Sequence, residues 1–384
     1  MAGTLEASAG AATSLSRSEL ERYRRHLALS EIGVAGQEKL KAARVLIVGA
    51  GGLGSPAALY LAAAGCGTLG LLDCDRVDLS NLQRQVLFDS AQLGQAKATA
   101  GCERLAALNP EVRVIAHAIE LRAANVREVF AQYDLVLDGT DRLATRYLIN
   151  DACVILRKPL VSAAIHRFEG HLMSYVPGQG PCYRCLFPQA VDGMVANCAE
   201  AGVLGVLPGV LGTLQATEAI KLVTGIGEPL LGRLLTYDAL EMRFSEFRVA
   251  RRHDCAVCGE APTITEPHDA PSRAAAPAGV RRLEVAALSE MLQRGEQPLL
   301  VDVREDAEFA AGHLSGALHI PLGQLPPRLA EIASRGDPVF ICRSGGRSMA
   351  ACQMALRANI RSPANLEGGM LAWAASVDPS VHVL

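Results

Sequence analysis

The chain has 384 residues, 50% of them apolar and 20% charged, with a formal net charge of −3. That length exceeds one ordinary hydrophobic core and sets two soluble domains as the starting expectation. The near-neutral charge offers no basic face for nucleic acid. The most apolar stretch, AGVLGVLPGVLGTLQATEAI, is interrupted by Pro208 and four glycines, so it reads as a buried loop and helix, not as a membrane span.

Residues 1–16 are small and polar and read as a disordered tail; they lack the basic start and apolar run of a signal peptide. Eleven cysteines, four of them in two C-x-x-C pairs, suit a reducing cytoplasm with metal or sulfur chemistry. From Arg44 the pattern is strand, glycine turn, helix, strand: RVLIVGAGGLGSPAALYLAAAGCGTLGLLDCD. A further helix reads at AKATAGCERLAAL, and further strands at RVIAHAIE, DLVLDGTD and PLVSAAI. This alternation implies a Rossmann-like α/β domain with a mainly parallel sheet, over residues 17–260. Residues 259–280 hold four prolines and many alanines with no apolar period, which marks a linker, placed at 261–281. Beyond it LLVDVRE, ALHIPLG and PVFICRSG alternate with helical patterns, giving a smaller α/β domain over 282–384.

The turn GAGGLG fits a dinucleotide fingerprint, with Gly49, Gly51 and Gly54 in its glycine places and Asp73 at the end of the next strand. Glycines let the backbone approach phosphates, and a helix start offers free N–H groups. The turn alone does not choose between NAD and ATP. The loop DLSNLQRQ does: a cluster of Asn81, Gln83, Arg84 and Gln85 supplies a planar donor fork and orienting amides for a polyphosphate. Lys97 opens the following helix as a further cation, or as a solvated surface lysine. Asp138 and Asp141, in LDGTDR, stand where a parallel sheet binds ligands and where an acid can hold Mg²⁺; Asp141 is equally a helix cap.

With ERYRRHL, PCYRC, NCAEAGVLG and CAVCG added, residues 20–260 resemble the ThiF/MoeB family, bacterial relatives of ubiquitin-activating enzymes. The resemblance implies ATP-dependent adenylation of the C-terminal glycine of a ubiquitin-like sulfur carrier ending in Gly-Gly, by a homodimer. It puts Gly52 and Asp73 on the nucleotide, with Asp73 on the ribose. Asn81 and Arg84 go to phosphates, Lys97 to the α-phosphate side and Asp141 to Mg²⁺. Ser80, Leu82, Gln83 and Arg142 complete the nucleotide set. Arg25 matches the arginine that reaches into the partner's site. Two positions depart from the family pattern: Arg142 replaces the usual Asn, and His26 replaces the usual Gln.

Cys182 and Cys185, with Cys255 and Cys258, supply four thiolates, the complement of a closed structural Zn²⁺; a redox dithiol is the other reading. Cys198, in NCAEAG, has no such partner, and the family associates its position with a sulfur-relay cysteine. Cys66, Cys74, Cys102, Cys153 and Cys352 read as packing residues.

Cys342 ends an apolar strand and opens the loop CRSGGRS. Gly345 and Gly346 let backbone N–H groups converge on the sulfur, and a helix start with Arg343 and Arg347 adds positive charge, which favours anionic sulfur. Only four residues separate Cys342 from Arg347, a tighter cradle than cysteine phosphatases build for phosphate. With LLVDVREDAEFAAGHLSGALHIPL before it, the last domain resembles a rhodanese, with Cys342 as sulfur-carrying nucleophile. Asp302 and Arg304 read as a structural ion pair, His313 and His319 as packing or hydrogen-bonding residues. The combination implies adenylation followed by sulfur transfer to a thiocarboxylate, from a cysteine-desulfurase persulfide or thiosulfate, most closely for molybdopterin synthesis. Thiamine, cysteine or secondary-metabolite synthesis are the alternative pathways. A different-class alternative is a carrier-activating enzyme whose rhodanese module only binds or senses sulfur species.

Overall fold

Residues 14–188, 202–269 and 279–383 are described by the computed structural model. They form two units, one built from 14–188 with 202–269 and the other from 279–383.

The first unit is built on eight strands: β1 Arg44–Val48, β2 Thr68–Leu72, β3 Arg113–His117, β4 Leu135–Asp138, β5 Leu160–His166, β6 Glu169–Tyr175, β7 Arg233–Asp238 and β8 Arg243–Arg248. Their order is β3-β2-β1-β4-β5-β6-β7-β8, parallel from β3 through β5 and antiparallel beyond. β1 (RVLIV) and β4 (LVLD) are apolar almost throughout because helices cover both sheet faces. Val45 and Ile47 face a core with Leu61 and Leu211. Leu46 and Val48 face the opposite core with Phe130 and Ile149. The strand order reverses between β1 and β4, which opens a crevice beyond their C-terminal ends, and both the glycine turn and the Asp138–Asp141 segment leave the sheet there. The apolar stretch with Pro208 is the helix Leu207–Thr224, with the proline in its first turn, where a missing N–H costs nothing. Among the described residues no helix is long and apolar enough to cross a membrane.

The second unit carries β9 Arg281–Leu283, β10 Leu299–Asp302, β11 Leu318–His319, β12 Pro338–Ile341 and β13 Ala364–Leu366, in the parallel order β11-β10-β12-β13-β9. β12 is buried at every residue and delivers Cys342 to its C-terminal end.

Regular structure and backbone bonds reach into both expected boundary segments. Ser16, at the end of the expected tail, caps the helix Arg17–Arg22 in a reciprocal box with Glu19. The start of the expected linker folds back on the first unit: Thr263 and Ile264 donate backbone bonds to Ala256, and Asp269 accepts from Ala123. Its last residue, Arg281, begins β9.

Candidate active sites

The glycine turn follows β1 and leads into the helix Gly54–Ala63. Its glycines are required by proximity: a Cβ on Gly54 would stand 1.8 Å from the Gly49 carbonyl oxygen, and one on Gly49 (φ +92°) would meet the Gly139 backbone at 2.9 Å. The turn therefore lies against the chain leaving β4, with backbone facing the crevice.

Asp73, at the end of β2, is fastened to that turn. One carboxylate oxygen accepts the Ala50 N–H and the other the Asp75 N–H, both at 2.8 Å. Burial pushes its carboxyl above the ordinary value, while these N–H groups and Lys97 oppose that rise. Lys97 is not a solvated surface lysine: it is 5% exposed, with its ammonium 3.6 Å from Asp75. The stretch Leu79–Asn81 is a 3₁₀ turn capped by Asp78, and Arg84 donates to the Ser80 carbonyl at 3.0 Å. Asn81 donates to the Ser80 hydroxyl. Leu82 packs against the core under β1 and β2. A Cβ on Gly52 would lie 3.6 Å from the Arg84 side chain, and one on Gly51 3.7 Å from the Gln85 amide nitrogen, so this loop borders the turn. The Gln85 side-chain oxygen is buried without a hydrogen-bond partner among the described residues. Gln83 lies under Gly205, where any side chain would collide with it.

The two acids after β4 separate sharply. Asp138 is fully buried and accepts from the Thr140 N–H and hydroxyl, the Ser162 hydroxyl and Arg146 at 2.9 Å. Its oxygens are committed to holding the β4 exit and are not offered to Mg²⁺. Asp141 is exposed. Arg142 leans toward Asp75 and Glu120, 3.9 Å from each. Beside Arg146, His171 on β6 stacks on Phe187, and its Nε2 is buried with no partner among the described residues. Burial, helped by the Arg146 charge, pushes its pKa down to about 4. Arg25 is exposed on the short helix Arg24–Leu27.

Cys182, Cys185, Cys255 and Cys258 bring their sulfurs within 4.8 Å of one another. The closest approaches cross between the two pairs, Cys182 to Cys255 at 3.6 Å and Cys185 to Cys258 at 3.4 Å, too long for disulfides. Two distant segments thus converge on one four-thiol cluster able to hold a metal ion, and a redox dithiol within one C-x-x-C does not explain that convergence. Cys66, Cys153 and Cys352 are buried, as packing residues should be, whereas Cys74 is exposed beside Asp75, beyond the end of β2. Cys198 lies outside the described residues.

Cys342 Sγ accepts the Gly345 N–H at 3.1 Å and lies 3.3 Å from the Ser348 hydroxyl. Gly345, at φ +98°, precedes the helix Gly346–Arg357, so the loop closes around the sulfur using a conformation open to glycine. Arg347, the expected cation of the loop, is engaged by an acid: both its terminal nitrogens donate to Glu308, each at 2.7 Å. The Asp302–Arg304 pair is fully buried, and His313 and His319 stack on the two sides of Phe309.

Residues 23–257 match the ThiF family, and residues 284–376 match the rhodanese-like domain. The chain belongs to the ThiF family.

Similarity extends across both units of this ThiF-family chain. It is 43% identical over 384 residues to the probable adenylyltransferase/sulfurtransferase MoeZ of Mycobacterium tuberculosis, covering 96% of each chain. It is 42% identical over 402 residues to the adenylyltransferase and sulfurtransferase MOCS3 of Sus scrofa, covering 95% of this chain and 87% of that one. Among solved structures, E. coli MccB with ATP superposes with a TM-score of 0.56 at 26% identity, over 64% of this chain and 75% of that one. The protein is therefore an adenylyltransferase and a sulfurtransferase in one chain.

The fold of this ThiF-family unit brings Gly49, Gly51, Gly52, Gly54, Asp73, Arg84 and Lys97 to one crevice. Glu308 and Ser348 escaped the sequence reading. Both lie inside quoted motifs, but only the folded loop shows that they reach the sulfur or its arginine.

Proposed function

We propose that this chain adenylates, with ATP, the C-terminal glycine of a small ubiquitin-like sulfur carrier ending in Gly-Gly. Its rhodanese-like unit then supplies sulfur to make a thiocarboxylate, for molybdenum cofactor biosynthesis in the cytoplasm. The observation that carries this reading is one chain holding both a glycine-turn crevice with a buried lysine and a cysteine in a donor loop. Its full-length likeness to MoeZ supports the pairing.

A carboxylate resists attack because of its charge and resonance, and joining it to AMP supplies a leaving group. The carrier carboxylate oxygen attacks the α-phosphorus and pyrophosphate departs, a step that needs alignment and charge stabilisation more than a base. In this reading the backbone of Gly49, Gly51, Gly52 and Gly54 borders the phosphates and Asp73 holds the ribose. Ser80, Asn81, Leu82, Gln83 and Arg84 line the polyphosphate, with Lys97 on the α-phosphate side. Asp141 would hold Mg²⁺, with Arg142 beside it, and the ion would offset phosphate charge. Arg25 would complete the site of a second subunit in a homodimer.

The Cys342 persulfide attacks the acyl carbon and AMP leaves, giving an acyl disulfide. A second thiol, assigned to Cys198, attacks the Cys342 sulfur, releasing the thiocarboxylate and leaving a disulfide to be reduced. The four-cysteine cluster fits Zn²⁺, since Zn–S bonds of about 2.3 Å in a tetrahedron place sulfurs roughly 3.8 Å apart. Four protein ligands leave no open position, so this metal clips two segments together. Domain limits of 17–260 and 282–384 belong to the same reading.

Carrier-dependent ATP–pyrophosphate exchange tests it. Exchange should require both the enzyme and an intact Gly-Gly terminus. Equal exchange with a carrier lacking its last glycine would refute the assignment.

A further inference from the structure

Glu308 and Arg347 form a pair that the sulfur chemistry above does not use. Arg347 occupies the first turn of the helix Gly346–Arg357, one residue before Ser348, whose hydroxyl lies 3.3 Å from Cys342 Sγ. Its two terminal nitrogens donate to the two oxygens of Glu308, a bidentate fork at 2.7 Å on each side. Glu308 is itself positioned, since it lies on the helix Asp306–Ala311 and also accepts the Glu305 N–H at 3.0 Å. Burial pushes its carboxyl up, but the Arg347 bonds, the Glu305 N–H and the charges of Arg347 and Arg304 together hold it below the ordinary value. The side chains are 6% and 15% exposed, so solvent and salt screen the pair weakly. One cation of the sulfur loop is thus cancelled by an acid from another element.

That cancellation matters differently to different sulfur donors. Thiosulfate brings two negative charges toward Cys342 and departs as sulfite, still a dianion. A persulfide carried on a thiol brings one and departs as a thiolate. An uncompensated Arg347 would favour the dianion most, whereas a compensated one leaves the Gly345 N–H, the helix start and the half-buried Arg343, a weaker positive field that suits a single sulfur anion.

We propose that Glu308 sets the donor preference of Cys342, turning the loop from free sulfur dianions toward persulfides borne on a thiol. This rests on the reading of Cys342 as the sulfur-carrying residue. In the step concerned, the Cys342 thiolate attacks the outer sulfur of R–S–S⁻. The S–S bond breaks, its electron pair leaves with R–S⁻, and Cys342 retains the transferred atom as a persulfide, with no outside oxidant or reductant.

The experiment uses the full chain and two probes, thiosulfate and the persulfide of 2-mercaptoethanol, whose charge lies on sulfur alone. The second-order rate at which Cys342 gains one sulfur atom is read by intact-protein mass in quenched samples. Glu308→Gln should raise the thiosulfate rate roughly tenfold and leave the persulfide rate within about twofold. Glu308→Asp should restore the wild-type ratio. Equal shifts for both donors would overturn the proposal. A wild-type measurement stands beside this in case the Gln variant fails to fold: thiosulfate loading should change less than about twofold between low and physiological salt, and a steep fall would overturn the proposal. If wild-type Cys342 gained sulfur from neither donor, the reading of Cys342 itself would fail instead.

Discussion

Two loops of this molecule stand at equivalent places, each after a parallel strand and before a helix, and each depends on a glycine. The loop after β1 contributes almost nothing but backbone; its turn is pressed so closely on Gly139 that side chains are excluded. Its polar neighbours, Asp73, Arg84 and Lys97, come from the connection after β2. The loop after β12 keeps the Cys342 sulfur and two of the groups on it, Gly345 N–H and the Ser348 hydroxyl, within seven consecutive residues. A large bound reactant needs a site assembled by sheet topology, while one sulfur atom can be held by a single turn. That contrast makes the two halves separable by mutation.

The sharpest way to break the comparison is Cys342→Ala. Thiosulfate–cyanide sulfurtransfer should fall by roughly a thousandfold or more, while carrier-dependent pyrophosphate exchange stays within about twofold. Sulfur transfer retained by this variant would place the nucleophile elsewhere. The mirror experiment is Arg84→Ala or Lys97→Ala. Pyrophosphate exchange should drop roughly a hundredfold, with Cys342 still acquiring sulfur and a melting curve verifying the fold. Wild-type exchange in either variant would remove that residue from the phosphate site.

A smaller effect concerns stability. Removing metal with a chelator, or Cys182→Ser, should lower the melting temperature of the first unit by roughly ten degrees, because the binding energy of a closed thiolate site is coupled to folding. Sulfur loading of Cys342 should persist. An unchanged melt in a metal-free sample would count against a structural metal.

The smallest effect is set by pH. His171 is held neutral, its pKa lowered from 6.5 to about 4, chiefly by burial. Its folded pKa lies below its unfolded one, so the stability it contributes is full above pH 6.5 and is lost as pH falls toward about 4. The size is roughly 3 kcal/mol at most. Between about pH 7 and pH 5 the wild-type melting temperature should fall more steeply than that of His171→Gln. Parallel curves would show that this imidazole does not drive the acid sensitivity.

Legibility followed the same division as the two loops. The β-α-β pattern around GAGGLG and the strand before Cys342 were readable because apolar runs and glycines sit next to one another. β8 was not, because RFSEFR lies exposed at the sheet's edge and carries no burial pattern. The four cysteines were readable from their paired spacing, although nothing local shows that their sulfurs meet. Asp138 and Asp141 looked alike in LDGTDR, and only the fold separates them, since Arg146 reaches back from the next helix to claim one. The pairing of Arg347 with Glu308 was not legible, because the acid lies 39 residues away. Cys74 looked buried because it follows the apolar strand TLGLL, but it stands two residues beyond that strand's end.

The central claim is that one chain activates a carboxylate and then gives it sulfur. Its most direct test is the mass of a Gly-Gly carrier after incubation with enzyme, ATP and a sulfur donor. The wild type should convert the terminal carboxylate to a thiocarboxylate only when ATP and donor are both present, and Cys342→Ala should stop at the activated, hydrolysable adenylate. A full thiocarboxylate yield from Cys342→Ala would contradict the account and leave the rhodanese-like unit as an accessory module.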